Sequence, residues 1–289
     1  MSFDAFLDDA WRDHGDRPQA VADRLAASTA LPQTADDLAQ FARLAAHVFG
    51  EHLGQWQRGI DLLDSLRNLP VAAGSAVLDA SLTRAITTLR CASGDAAAVE
   101  RLSPEDRAAV LAGAAQALIG RGDPARGIPA LDAALALGER GLPAGSPAIR
   151  ALAAAGNNIA ATLEQKANRT LAETQAMVTA AHAGLHYWKQ AGTWLEEERA
   201  HHRLARTLLA AGRANDAVAA AQACLHVCTC NAAPAFERFF GHAALAVARR
   251  AAGDRAAFEA ARADALAAFE QVPDDQKAWC DRERAELGT

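Results

Sequence analysis

The chain repeats itself. Gly54-Gln55-Trp56-Gln57-Arg58-Gly59-Ile60-Asp61-Leu62-Leu63-Asp64 and Gly122-Asp123-Pro124-Ala125-Arg126-Gly127-Ile128-Pro129-Ala130-Leu131-Asp132 share Gly, Arg, Gly, Ile, Leu and Asp in one register, 68 residues apart. A third copy runs from Gly212 to Ala221, with Ala217 standing where Gly59 and Gly127 stood. Such repetition constrains the fold strongly, because a short unit that cannot bury its apolar face alone must stack on its neighbours. The small residue kept at one register position predicts a point where two helices cross too closely for a larger side chain.

Helix punctuation surrounds these copies. Ser, Thr or Asp precedes Pro, or stands three residues before an acid, at Thr34-Ala35-Asp36-Asp37, Ser103-Pro104-Glu105-Asp106, Asp123-Pro124, Ser146-Pro147 and Thr193-Trp194-Leu195-Glu196. Each can cap free backbone N–H groups. Apolar residues then recur at three and four positions, as in Leu204, Leu208, Leu209 or Phe258, Ala261, Ala265, Leu266, Phe269. Gly54, Gly94, Gly122, Gly212 and Gly253 close such runs. Hydrophobic residues make up 51% of the chain but aromatics only 5%. Ala, the strongest helix former, dominates the rest. No stretch of period-two alternation supports a strand, so the reading is all-α, with about fourteen helices.

Here the sequence resembles the tetratricopeptide repeat (TPR) family. Its pattern of a large then a small residue, a turn Gly and a small residue five positions on is met by Leu204-Ala205, Leu208, Gly212, Ala217, Ala221 and Cys224. Leu245-Ala246 with Gly253 fits less well, because Phe258 replaces the small residue, and Asn157-Asn158-Ile159-Ala160 resembles a first helix whose turn position is Ala167. The offset of 68 is twice the family period of about 34, although later turns are spaced more widely. The resemblance implies one domain over 1–289: a right-handed superhelical array, or α-solenoid, of about seven antiparallel helix pairs. Residues 1–30 would form N-terminal capping helices, 36–271 the degenerate repeats and 273–289 a polar C-terminal capping helix.

The formal net charge is −6 and Arg is scattered among acids, which leaves no basic footprint for nucleic acid. The acidic start Met1-Ser2-Phe3-Asp4 lacks the features of a secretory signal, and no run of about 18 apolar residues could span a membrane. Five cysteines, three of them crowded together, do not read as a disulfide framework, so a reducing cytoplasm is expected. No GxSxG, GxxxxGK[ST], HExxH or strand-linked GxGxxG motif occurs, and the chain is read as a non-enzyme without a cofactor.

Three side-chain groups remain. Cys224, His226, Cys228 and Cys230 offer a thiolate and imidazole set for zinc or Cu(I), an alternative to Cys224 as a core residue and the basis of an alternative metal- or redox-responsive sensor. His182 and His186 stand four apart, without an acid between them to act as base. The third group comes from the TPR resemblance, which places Asn157, Asn158, Arg199, His202, Arg203 and Arg206 on a concave surface. Asn158, Arg199 and Arg203 resemble half of a clamp for a peptide's terminal carboxylate, while Ala112 and Gln116 stand where Lys and Asn would complete it. The function expected is a scaffold for a protein or peptide bearing acidic or C-terminal carboxylate groups, with an enzyme of unrecognised site as a further alternative.

Overall fold

The computed structural model describes residues 2–288, of which the helical share far exceeds the roughly one-third typical of globular proteins. Fourteen α-helices and no strand occur among the described residues. They pack as two compact units, residues 1–151 and 152–289. The first contains α1 (Phe3–Asp13), α2 (Pro18–Ala27), α3 (Ala35–His47), α4 (Trp56–Leu66), α5 (Ala76–Ser93), α6 (Pro104–Gly120) and α7 (Pro124–Glu139). Helix α8 (Pro147–Gln165) carries the chain onward. There follow α9 (Leu171–Ala191), α10 (Trp194–Ala210), α11 (Ala214–Cys230), α12 (Ala235–Ala251), α13 (Arg255–Phe269) and α14 (Asp281–Glu286).

The expected caps form. Thr34 and Thr193 make reciprocal capping boxes with Asp37 and Glu196, and Ser103 and Asp123 accept from the backbone N–H groups of Asp106 and Arg126. Gly122 and Gly212 turn the chain at φ 78° and 74°, so α6 reverses into α7 and α10 into α11. These pairs lie along each other, as do α12 and α13, and α11 also packs on α12. The later part of the chain is therefore a stack of antiparallel helix pairs.

The repeated small residues sit at helix crossings. A Cβ on Gly127 would lie 2.5 Å from Ile119 Cγ1, and one on Gly59 would lie 2.8 Å from both Phe49 Cβ and Leu89 Cδ1. Ala217 is fully buried on α11. The tightest approach to backbone escaped the repeat reading: a Cβ on Gly156 of α8 would lie 2.6 Å from both the carbonyl oxygen of Ala180 and the amide nitrogen of Gly184 on α9.

Both ends of the chain contribute apolar anchors. Phe6 stacks on Phe41 with ring centroids 6.1 Å apart, and Val21 and Leu25 are fully buried beside Leu44 and Leu63. Near the C-terminus, Cys280 and Leu287 enter a core with Phe239 and Phe269, so the segment expected as a polar cap is sealed by apolar contacts. No described helix is long and apolar enough to cross a membrane.

Candidate functional site

The α10 helix positions the expected site. Its N-terminal capping box fixes the register, and Leu204, Ala205 and Leu208 bury one face, which turns Arg199, His202 and Arg203 toward α8 and α12. With Asn157, Glu198 and Glu237 these residues enclose a cavity of about 240 Å³. Phe236 and Phe240 of α12 form its apolar wall, and Phe240 meets the His202 ring edge-on at 5.7 Å. A groove of about 410 Å³ adjoins it, sharing Arg199, Phe236 and Glu237 and bordered by Pro234, Pro273 and Trp279. Trp279 is 75% exposed, which leaves a large apolar ring in water at the groove edge.

Not every expected residue arrives there. Asn158 is exposed and does not line the cavity, and Arg206 is buried away from it. The arginine stripe expected to await a ligand is instead engaged within the chain. Arg199 holds Glu237 at 2.6 Å, and Arg203 holds Glu164 at 2.6 Å. Arg206 pairs with Glu286 and lies 3.5 Å from Glu164, which Arg282 also approaches at 3.3 Å. Arg203, Arg206 and Arg282 thus share the carboxylates of Glu164 and Glu286, with buried Glu283 close enough to Arg206 and Arg282 to feel their charge. The Ala112 and Gln116 half of the expected clamp is occupied elsewhere: Ala112 is in the core and Gln116 donates to Glu51.

Burial sets the protonation states inside the cavity. Glu198 is pushed up to about 7 by burial, with the charge of Glu237 adding and the Cys224 thiol opposing. His202 is pulled down to about 3 by burial and by Arg203, Arg206 and Arg282, so its imidazole is neutral at pH 7. Asn157 Oδ1, Glu198 Oε2 and His202 Nε2 are each buried without a hydrogen-bond partner. Asn157 Oδ1 lies at the crossing with Gly184 of α9 and Glu198 meets Glu237, so His202 Nε2 is the one of the three left to whatever enters the cavity.

The cysteine cluster divides: Cys224 and Cys228 stay together beside Glu198, with ligand atoms within 4.8 Å of one another, while His226 and Cys230 lie apart from them. Cys224 and Cys228 are buried, and the Cys224 thiol donates to Glu198 Oε1 at 2.9 Å. Its contact with Cys228, burial and the Glu198 charge hold it protonated, well above the ordinary thiol range. Cys230 is exposed and lies 3.6 Å from His226 Nε2, so the four residues do not converge. His182 and His186 are both exposed, and His186 is hydrogen-bonded to Gln190.

The sequence reading missed Glu198, Phe236, Glu237, Phe240 and Trp279. Only the packing of α10 on α12 buries Glu198 and Glu237. The run Phe236, Phe239, Phe240 in an aromatic-poor chain was the available signal.

No family model matches the chain, and no curated protein does. Among solved structures it is similar to the crystal structure of nearly identical TPR-like repeats from Podosopora anserina, in a chain described as a putative kinesin light chain. That match has 15% identity and a TM-score of 0.49 over 81% of this chain and 93% of the other. A glutamine-to-methionine variant of the same repeats matches with 15% identity and a TM-score of 0.48 over the same shares. The helix-pair architecture rests on the packing described above, independently of these likenesses.

Proposed function

We propose that the second unit is a peptide-binding module, taking one residue of a partner protein into the α8–α10–α12 cavity and the flanking segment along the groove to Trp279. The observation that carries this is the unpaired Nε2 of His202 beside the apolar wall of Phe236 and Phe240. A peptide backbone supplies donors and acceptors together, and a cavity of about 240 Å³ suits one side chain or chain end better than a larger cofactor. Arg199, whose side chain stays 55% exposed where cavity and groove meet, favours a carboxylate, either an acidic side chain or a chain terminus. The charge of −6 and the want of a basic face weigh against nucleic acid.

The test is affinity capture from the source cell with untagged wild-type protein, Trp279→Ala and His202→Gln, followed by mass spectrometry. A partner held by the wild type and lost by both variants is expected. Partners shared by all three forms would refute the reading. A second reading, catalysis, is favoured by Glu198 at about 7 beside the ion-paired Glu237, an acid and a carboxylate in one cavity. Recovery of the captured peptide intact supports binding, and recovery as defined fragments that vanish in Glu198→Gln supports catalysis.

A further inference from the structure

Apart from that cavity, three histidines meet in the first unit. His14 follows the end of α1, His47 ends α3 and His52 ends a single turn of π-helix, Val48–His52, that continues α3. Their ring centroids lie 5.0, 5.0 and 4.7 Å apart, and one ring nitrogen of each lies within 4.8 Å of the others. His47 Nε2 and His52 Nε2 are 3.0 Å apart. Two nitrogens on one zinc ion, each at about 2.0–2.1 Å, would be separated by about 3.4 Å in a tetrahedron and about 2.9 Å at right angles. The observed pair falls between these values.

The rings are also oriented. His47 Nδ1 lies 2.9 Å from Glu51 Oε2, which accepts in turn from Gln116 Nε2 at 2.7 Å. His14 Nδ1 lies 2.5 Å from the carbonyl oxygen of Trp11. Oxygen acceptors at both Nδ1 positions place the protons there and leave the Nε2 lone pairs of His14 and His47 as donors to a metal, the usual arrangement behind ligating histidines. Gly120 makes room for this support, since a Cβ there would lie 2.5 Å from Glu51 Cγ. Arg121 donates to the His52 carbonyl at 2.7 Å and fixes the end of the turn.

The π-turn explains the spacing. In a regular α-helix, residues five apart point about 140° away from each other. The wider π-turn, closed by the Leu53 N–H to Val48 carbonyl bond of 3.1 Å, brings His47 and His52 to one side. Such turns are rare and concentrate at functional positions.

We propose that His14, His47 and His52 form an all-nitrogen site for a divalent first-row metal ion of the zinc class. Imidazole suits zinc, copper and nickel, and no cysteine among the described residues joins the cluster to favour Cu(I). The three rings are only half-buried, so a fourth position stays open to water or an external ligand. A bound ion joins the end of α1 to the end of α3.

The experiment uses full-length, untagged, chelator-treated protein titrated with zinc chloride by calorimetry and with cobalt chloride by absorption. One ion per chain is expected, with a visible cobalt spectrum that lacks the near-ultraviolet thiolate band. His14→Ala combined with His52→Ala should weaken binding at least about 100-fold, and Glu51→Gln about 10–100-fold. Cys224→Ser combined with Cys228→Ser should leave it unchanged. Absence of binding, a thiolate band, or equal affinity in the folded histidine variant would overturn the proposal. Should that variant fail to fold, the wild-type cobalt spectrum decides alone.

Discussion

Replacing Gly156 by Ala tests the closest helix crossing, and the two forces it sets against each other have opposite signs. Ala in place of Gly inside a helix gains about 1 kcal/mol, because the unfolded chain has less freedom to lose. Against this, the new Cβ would lie 2.6 Å from Ala180 O and 2.6 Å from Gly184 N, where ordinary contact begins at 3.4 Å. Both are backbone atoms and cannot swing aside, so α8 and α9 must part by about 0.8 Å, the difference between these distances. Ala153, Ala160, Ala180 and Ala181, all fully buried, then lose close packing. Overpacking of this kind costs about 1–3 kcal/mol, and the backbone nature of the clash puts Gly156→Ala at the upper end. The net expectation is a loss of about 1–2 kcal/mol, or a fall of roughly 3–8 °C in melting temperature for a unit of this size. Urea and thermal denaturation followed by circular dichroism measure it. A variant more stable than the wild type would show that α8 and α9 do not meet as described.

Ala217→Leu should lower stability by about 1–3 kcal/mol, because Ala217 is fully buried on α11; unchanged melting would contradict the register of the third repeat copy. Glu198 has a folded pKa raised to about 7, so its stabilising contribution is complete below its ordinary pKa and is lost as pH rises through 7. Glu198→Gln mimics the protonated acid and should gain about 2–3 kcal/mol on the wild type between about pH 4.5 and 8; a difference that stays flat with pH would refute the assignment. Arg203→Glu sets a second acid against Glu164, whose side chain is 5% exposed, and should cost about 3 kcal/mol or more. Melting within a degree of the wild type would instead mark Arg203 as a solvated charge.

The fold was legible because it is written locally. Thr34, Ser103, Asp123 and Thr193 sit beside the amides they cap, and Gly122 and Gly212 announce left-handed turns within a few residues of the helices they end. The crossing of Gly156 on Gly184 was not legible, since those residues are 28 apart and lie outside the repeated motif. The candidate site was half legible. Asn157, Arg199, His202 and Arg203 converge as equivalent positions on stacked helices should. Their electrostatics could not be read, because Glu164, Glu237 and Glu286 reach the arginines only through tertiary packing. The histidine cluster was hidden for a different reason: a separation of five matches no ligand spacing on an α-helix, and nothing in the residues around Gly50 announces a π-turn.

The peptide-binding claim is tested most directly by an affinity measurement. A random peptide library selected on the immobilised protein would supply a ligand, and its dissociation constant would be compared for wild type, His202→Gln and Trp279→Ala. Selected peptides should carry a carboxylate next to an apolar residue and bind at least about tenfold more weakly to each variant, a loss of roughly 1.4 kcal/mol, with melting temperatures unchanged. Equal affinity for all three forms would show that the cavity and its Trp279 groove do not hold the peptide.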